Sequence, residues 1–218
     1  MTQPELVFIA GPNAAGKSSF IRTRINDLEG CEIIMTDVYK GRSKDVFSGA
    51  LKLKKDIVIE TVFNDSSFKD LVDQARSAGY HTSLIVFFLD SIQHSIERVA
   101  FRSIEQNGLM ISDGNIRINF NESFKNVAQY FLYFDQTDFI YTGITGTNKH
   151  IMSFNQSTLT AYNSNRLEYP QKFAEYSFRN DRLSLDARTI ITTNKDFQHP
   201  LFQKKVEVKP RIRRRLKF

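Results

Sequence analysis

The stretch Leu6-Val7-Phe8-Ile9-Ala10-Gly11-Pro12-Asn13-Ala14-Ala15-Gly16-Lys17-Ser18 decides how the chain is read. It opens with a five-residue apolar run of strand length. From Gly11 onward it fits the phosphate-binding loop pattern G-x-x-x-x-G-K-[ST]. A buried strand should run into the loop, and a helix should open near Gly16. Glycines let the backbone turn tightly, so that successive N–H groups point at a polyphosphate. The helix N-terminus adds a favourable dipole. The expected nucleotide-binding residues are Gly11, Pro12, Asn13, Ala14, Ala15, Gly16, Lys17, Ser18 and Ser19. Lys17 would reach the β- and γ-phosphates of ATP or GTP, and Ser18 would give a hydroxyl ligand to Mg²⁺. The expectation is a nucleoside triphosphate site.

Outward from the loop, strand and helix patterns alternate. A helix is expected from Gly16 to about Asn26, then a strand over Glu32–Met35 that ends at Thr36-Asp37. A helix over Val46–Lys52 precedes a buried strand over Asp56–Thr61. Asp65-Ser66-Ser67 supplies N-cap residues for a helix that Gly79 stops. Thr82–Leu89 reads as a fourth strand, followed by a helix over Ile92–Glu105. From Ser112 to Phe131, the residues Ile116, Phe120, Phe124, Val127 and Phe131 recur at helical spacing and predict one core-facing stripe. Phe139-Ile140-Tyr141 is a short fifth strand. Ile151–Phe154 and Thr158–Tyr162 read as a hairpin, and Pro170–Phe178 as a short helix. The fold class is therefore α/β: a P-loop NTPase three-layer fold, with a five-stranded, mostly parallel sheet, helices on both faces and a small C-terminal extension.

A chain of 218 residues is long enough for one such domain. We expect a single unit over 1–203, with its core at about 5–142 and C-terminal decoration over 143–203. Residues 204–218 form a basic tail, carrying eight Lys or Arg against one Glu, whereas the full chain has a net charge of only +6. The globular part is therefore not basic. The tail could touch nucleic acid or another acidic surface, or it could be solvated, with Val206 and Val208 adding an edge strand. Cys31 is the only cysteine, which excludes an intrachain disulfide and suits a reducing compartment. The start has no basic n-region and the first apolar run is short, so neither a signal peptide nor a membrane span is expected. The expected location is cytoplasmic.

Ligands of parallel sheets bind at the carboxyl ends of the strands. Thr36-Asp37 and Glu60-Thr61 should therefore converge on the loop. Transfer to a hydroxyl needs a carboxylate to accept its proton, and Asp37 is the candidate. Glu60 could hold a substrate hydroxyl or a water of the magnesium shell, with Thr61 beside it. Asp90 follows an apolar strand and is expected to cap the helix from Ile92. Arg98 and Arg102, four residues apart, share one helix face and could close over the phosphates.

These residues resemble the zeta toxin family of P-loop kinases from the loop to roughly Thr142. Gly11-Pro12-Asn13 with Ala15-Gly16-Lys17-Ser18 matches its loop, and Asp37-Val38-Tyr39-Lys40 resembles its Asp-x-(Phe/Tyr)-(Arg/Lys) segment. Glu60-Thr61 matches a substrate-contacting strand end. Ser95-Ile96-Glu97-Arg98-Val99 with Arg102 resembles its S-x-x-R-V-x-x-R helix. Phe120-x-x-Ser123-x-x-Asn126 resembles its later helix. The resemblance implies a phosphotransferase that moves a γ-phosphate to an alcohol group of a nucleotide sugar such as UDP-N-acetylglucosamine. It also implies an antitoxin protein as partner and makes Asp37 the catalytic base. Leu109, Asn119 and Glu122 stand where the family places cations. The alternative is a non-catalytic or weakly hydrolytic nucleotide-binding protein that acts through its basic tail.

Overall fold

Strand β1 (Glu5–Ala10) is buried along its whole length, as expected of a strand covered on both faces. The computed structural model describes residues 3–39, 41–106, 111–144, 146–202, 212 and 216, and the side chains of Asp37, Glu105 and Gln106 lie outside that description. Along β1, Leu6, Phe8 and Ala10 enter one core while Val7 and Ile9 enter the other. This alternation places the strand at the centre of a layered sheet.

The remaining elements follow in the expected alternation. They are α1 (Lys17–Thr23), β2 (Glu32–Met35), α2 (Thr36–Tyr39), α3 (Ser43–Lys52), β3 (Ile57–Thr61), α4 (Phe68–Ser77) and β4 (His81–Phe88). Then come α5 (Ile92–Gln106), α6 (Asp113–Tyr130), β5 (Gln136–Tyr141), β6 (Lys149–Asn155) and β7 (Thr158–Tyr162), followed by α7 (Tyr169–Arg179), α8 (Leu185–Thr192) and β8 (Phe197–Gln198). The strand order is β2-β3-β1-β4-β5-β6-β7-β8. The first five strands in that order are parallel.

The sheet has eight strands where five were expected. The hairpin predicted after Gly143 does form, and β6 pairs antiparallel with the outer edge of β5. That edge would otherwise present unpaired N–H and C=O groups. A buried polar cluster pins the extension: Ser153 Oγ donates to Asp138 Oδ1 at 2.5 Å, and the His150 ring lies 2.7 Å from the same hydroxyl.

Phenylalanines fill the larger core in two groups. Phe8, Phe63, Phe68 and Phe134 pack around α4, and Phe131, Phe139, Phe154 and Phe173 pack between β5, β6 and α7. The stripe on α6 is only partly core. Ile116 and Val127 are buried, as is Phe131 just beyond the helix, whereas Phe120 and Phe124 remain half-exposed.

The smaller core lies on the α1 face and includes Ile212 and Leu216, each 1% exposed. Leu216 N–H donates to the Ile212 carbonyl at 3.0 Å, so the two residues present adjacent side chains. Part of the basic tail is thus built into the fold, contrary to a wholly solvated terminus. Val206 and Val208 lie outside the described residues. Leu216→Ala should destabilise the protein by about 2–5 kcal/mol in urea unfolding. An unchanged midpoint would mean that the tail is dispensable to the core.

Candidate functional site

The loop after β1 has the backbone its sequence demands. Gly11 has φ +148°, and a Cβ there would sit 2.0 Å from the Phe87 carbonyl oxygen on β4, so no other residue fits. Gly16 has φ +86° and precedes α1 with no side-chain cap, leaving the first-turn N–H groups for an anion. Lys17 is 7% exposed, and its Nζ donates to the carbonyls of Gly11 at 2.9 Å and Pro12 at 3.0 Å.

Three elements hold this loop. Thr142, just past β5, donates to the Ala15 carbonyl at 2.9 Å. From α5, Ser95 Oγ donates to the Asn13 carbonyl at 2.7 Å, and Arg98 reaches the Ala14 carbonyl at 3.4 Å. From α6, Asn119 Nδ2 donates to Asn13 Oδ1 at 2.8 Å, and Asn119 Oδ1 accepts from Asn64 at 2.8 Å. Asn119 therefore gives the loop an amide latch.

The parallel register sets Ile9 beside Glu60 and Ala10 beside Thr61. As a result, Ser18 Oγ donates to Glu60 Oε1 at 2.6 Å. A hydroxyl and a carboxylate in contact are hard oxygen donors of the kind that suits Mg²⁺. Among the described residues no group of three or more His, Cys, Asp or Glu could hold a metal. Phosphate and water oxygens would have to complete such a site, as they usually do for this ion. Thr61 Oγ1 accepts the Phe63 N–H at 3.0 Å and so also shapes the turn after β3. Asp37 lies on α2 at the carboxyl end of β2, next to Thr36, which lines the site. The Asp37 side chain lies outside the described residues.

Above the loop is a cleft of about 670 Å³, with Lys17, Ser18, Ser19, Glu60 and Thr61 among its walls. Arg98 and Arg102 both face it, as the helical spacing predicts, and Arg22 joins them from α1. None of these three arginines forms an ion pair among the described residues. Partial burial lowers the Arg98 pKa from its ordinary value, as expected of a cation short of counter-charge. Phe101, 62% exposed, and Ile111 add apolar surface to the cleft.

Two expectations change. Glu122 does not oppose an anion in the cleft, because it pairs with Lys125 at 2.8 Å on the exposed side of α6. Asp90 does not cap the helix from Ile92. Its Oδ1 accepts the Glu168 and Tyr169 N–H groups, both at 2.8 Å, and so caps α7, while Ser91 Oγ accepts the His94 N–H on α5. Leu109 lies outside the described residues.

Arg22 and Thr142 were not singled out in the sequence, and Ser95 and Asn119 appeared only as positions in the family comparison. Arg22 was within reach, since it lies four residues after Ser18 on one helix face. So was Ser95, three residues before Arg98. Nothing local signals the contacts of Asn119 and Thr142 with the loop, because they meet it from 106 and 127 residues away.

Several solved structures share this architecture. A chain of the AvrRxo1-ORF1:AvrRxo1-ORF2 complex with sulphate ions matches with a TM-score of 0.57 at 14% identity, over 90% of this chain and 78% of that one. The same complex with ATP gives the same values. A chain of the PezAT chromosomal toxin-antitoxin system of Streptococcus pneumoniae matches with a TM-score of 0.54 at 11% identity, over 84% of this chain and 88% of that one. No protein-family model and no curated protein matches the sequence. At these identities the likeness is one of fold.

Gly11→Ala should introduce strain of about 1–3 kcal/mol and push the loop off β4. It should lower the thermal midpoint and abolish binding of a fluorescent ATP analogue. Full affinity at an unchanged midpoint would contradict the contact with Phe87.

Proposed function

We propose that this chain is a kinase that transfers the γ-phosphate of ATP or GTP to a hydroxyl group of a small molecule, with a nucleotide sugar such as UDP-N-acetylglucosamine as the acceptor. The 2.6 Å contact between Ser18 and Glu60 carries this reading, since it sets paired oxygen donors beside a phosphate loop. When bound, Mg²⁺ would neutralise charge on the β- and γ-phosphate oxygens, with Ser18 and Glu60 as the residues that hold it. Lys17 would exchange the loop carbonyls for the phosphates. Arg22, Arg98 and Arg102, which form no ion pair among the described residues, suit a polyanion in the cleft.

In the transfer, the acceptor oxygen bonds to the γ-phosphorus. The bond from that phosphorus to the β–γ bridging oxygen breaks, and the nucleoside diphosphate leaves. Asp37 takes the proton of the acceptor hydroxyl. Among the described residues Arg98 has one long bond, to Ala14, to give up before it closes over the transferring group, and Arg102 stands one turn further along.

The match to a toxin-antitoxin system supports an antitoxin protein as partner. Phe101 on α5 offers such a partner exposed apolar surface at the cleft, and Ile104, three residues further along the helix, is exposed as well. Burial of Ile212 and Leu216 weighs against the other reading, in which the tail is a free nucleic-acid-binding arm.

Phosphorus NMR of the protein with Mg-ATP and UDP-N-acetylglucosamine should give a new sugar-phosphate resonance that Lys17→Ala abolishes. Asp37→Asn should slow transfer by about 10²–10⁴-fold and leave nucleotide affinity intact. Normal turnover in Asp37→Asn would sink the base assignment. Bound nucleotide without transfer to any hydroxyl acceptor would sink the kinase reading.

A further inference from the structure

A second cavity, of about 760 Å³, lies between α6 and α7 and is not needed by the chemistry above. That volume falls within the range of small-molecule sites. Its walls are aromatic: Phe120 and Phe124 from α6, and Tyr169 and Tyr176 from α7. The rings are fixed against one another. Phe124 meets Tyr169 edge-on with centroids 5.3 Å apart and Tyr176 at 5.7 Å, and Tyr169 is stacked on Phe88 at 4.3 Å.

Tyr169 lines the cavity, and its hydroxyl makes no hydrogen bond to another described residue. The Tyr169 backbone N–H donates to Asp90 Oδ1 at 2.8 Å, whereas the side chain faces Phe88 and Phe124. A phenol can both donate and accept a hydrogen bond. Burial pushes its pKa up, so it stays protonated and can donate. The side-chain amides of Asn121 and Gln171 also line the cavity. The walls carry three carboxylates, Asp90, Glu168 and Glu175, against two cations, Lys172 and Arg179. Lys172 is already paired with Glu168 at 2.6 Å. No positive surplus is left to anchor a phosphate.

We propose that this cavity binds the planar heteroaromatic ring of a nucleoside, stacked on the α6–α7 aromatic wall and hydrogen-bonded at its edge to the Tyr169 hydroxyl. Aromatic faces combined with amide and hydroxyl groups are the means by which proteins hold a nucleobase. The site also adjoins the phosphate loop through two elements. On α6, Asn121 lines the cavity two residues after Asn119, which latches Asn13. On α5, Ile92 lines it three residues before Ser95, which also bonds Asn13. Occupancy would therefore stiffen the supports of the loop.

The test is saturation-transfer NMR and calorimetry of the full chain with adenosine, guanosine, cytidine and uridine. At least one nucleoside should bind saturably, and its 5′-monophosphate should bind no tighter. Lys17→Ala should leave that affinity within twofold. Tyr169→Phe keeps the ring and should weaken binding about fivefold, the value of one hydrogen bond. Phe124→Leu, which keeps the bulk but removes an aromatic face, should weaken it as well. The proposal is overturned if no nucleoside binds saturably. It is equally overturned if Lys17→Ala removes binding while Tyr169→Phe and Phe124→Leu preserve it. Loss of nucleotide binding in the cleft alone leaves these results unchanged, so the two readings fail separately.

Discussion

The parallel register of β1 between β3 and β4 is the constraint on which the site depends. On one side it brings Phe87 so close to the loop that only a glycine fits at residue 11. On the other it delivers Glu60 to Ser18. Neither side chain has to search for the other, because the ladder of backbone hydrogen bonds fixes both. The loop then folds over its own lysine, and α5, α6 and the end of β5 tie it from above. A shift of one residue along either neighbour would turn the strand's side chains to the opposite face and separate Ser18 from Glu60.

Much of this was legible in the sequence, and the reasons are local. The apolar run, the loop pattern and the helix behind it occupy one short segment, so a single window contains the whole signal. Strand ends carrying Glu60 and Thr61 point to the loop because parallel sheets place their ligands at that edge. Arg98 and Arg102 follow from helical spacing alone. Other features depended on distant partners. A strand-end aspartate reads the same whether it caps its own helix or another, and the N–H groups that Asp90 accepts lie 78 and 79 residues further on. Asn119 reads as a missing cation until Asn13 and Asn64 are seen on either side of it. Glu122 reads as a charge reversal until its pairing with Lys125 turns it outward. The docking of the predicted hairpin onto the sheet was hidden for a similar reason. Nothing in Lys149–Asn155 states that its partner is the open edge of β5.

The helix α6 shows how a periodic pattern can mislead. Its apolar stripe satisfies the rule for a core-facing helix, and its two ends obey that rule. The middle of the stripe instead meets the aromatic face of α7, where side chains of Phe120 and Phe124 border a cavity. Periodicity identifies which side of a helix is apolar. It does not say whether the opposing surface is near enough to fill the space.

The burial of Ile212 and Leu216 also has a bearing on how the protein is made. Both residues cover the same face of the sheet as Val7 and Ile9, roughly two hundred residues earlier in the chain, and contacts across such separations form late in folding. During synthesis β1 and its loop leave the ribosome first and wait for β3 and β4 to flank them. Even then the α1 face lacks part of its cover until Ile212 and Leu216 have emerged. A chain stalled before that point would hold a complete phosphate loop above an uncovered apolar surface, which is the form of the molecule most exposed to chaperones and to aggregation.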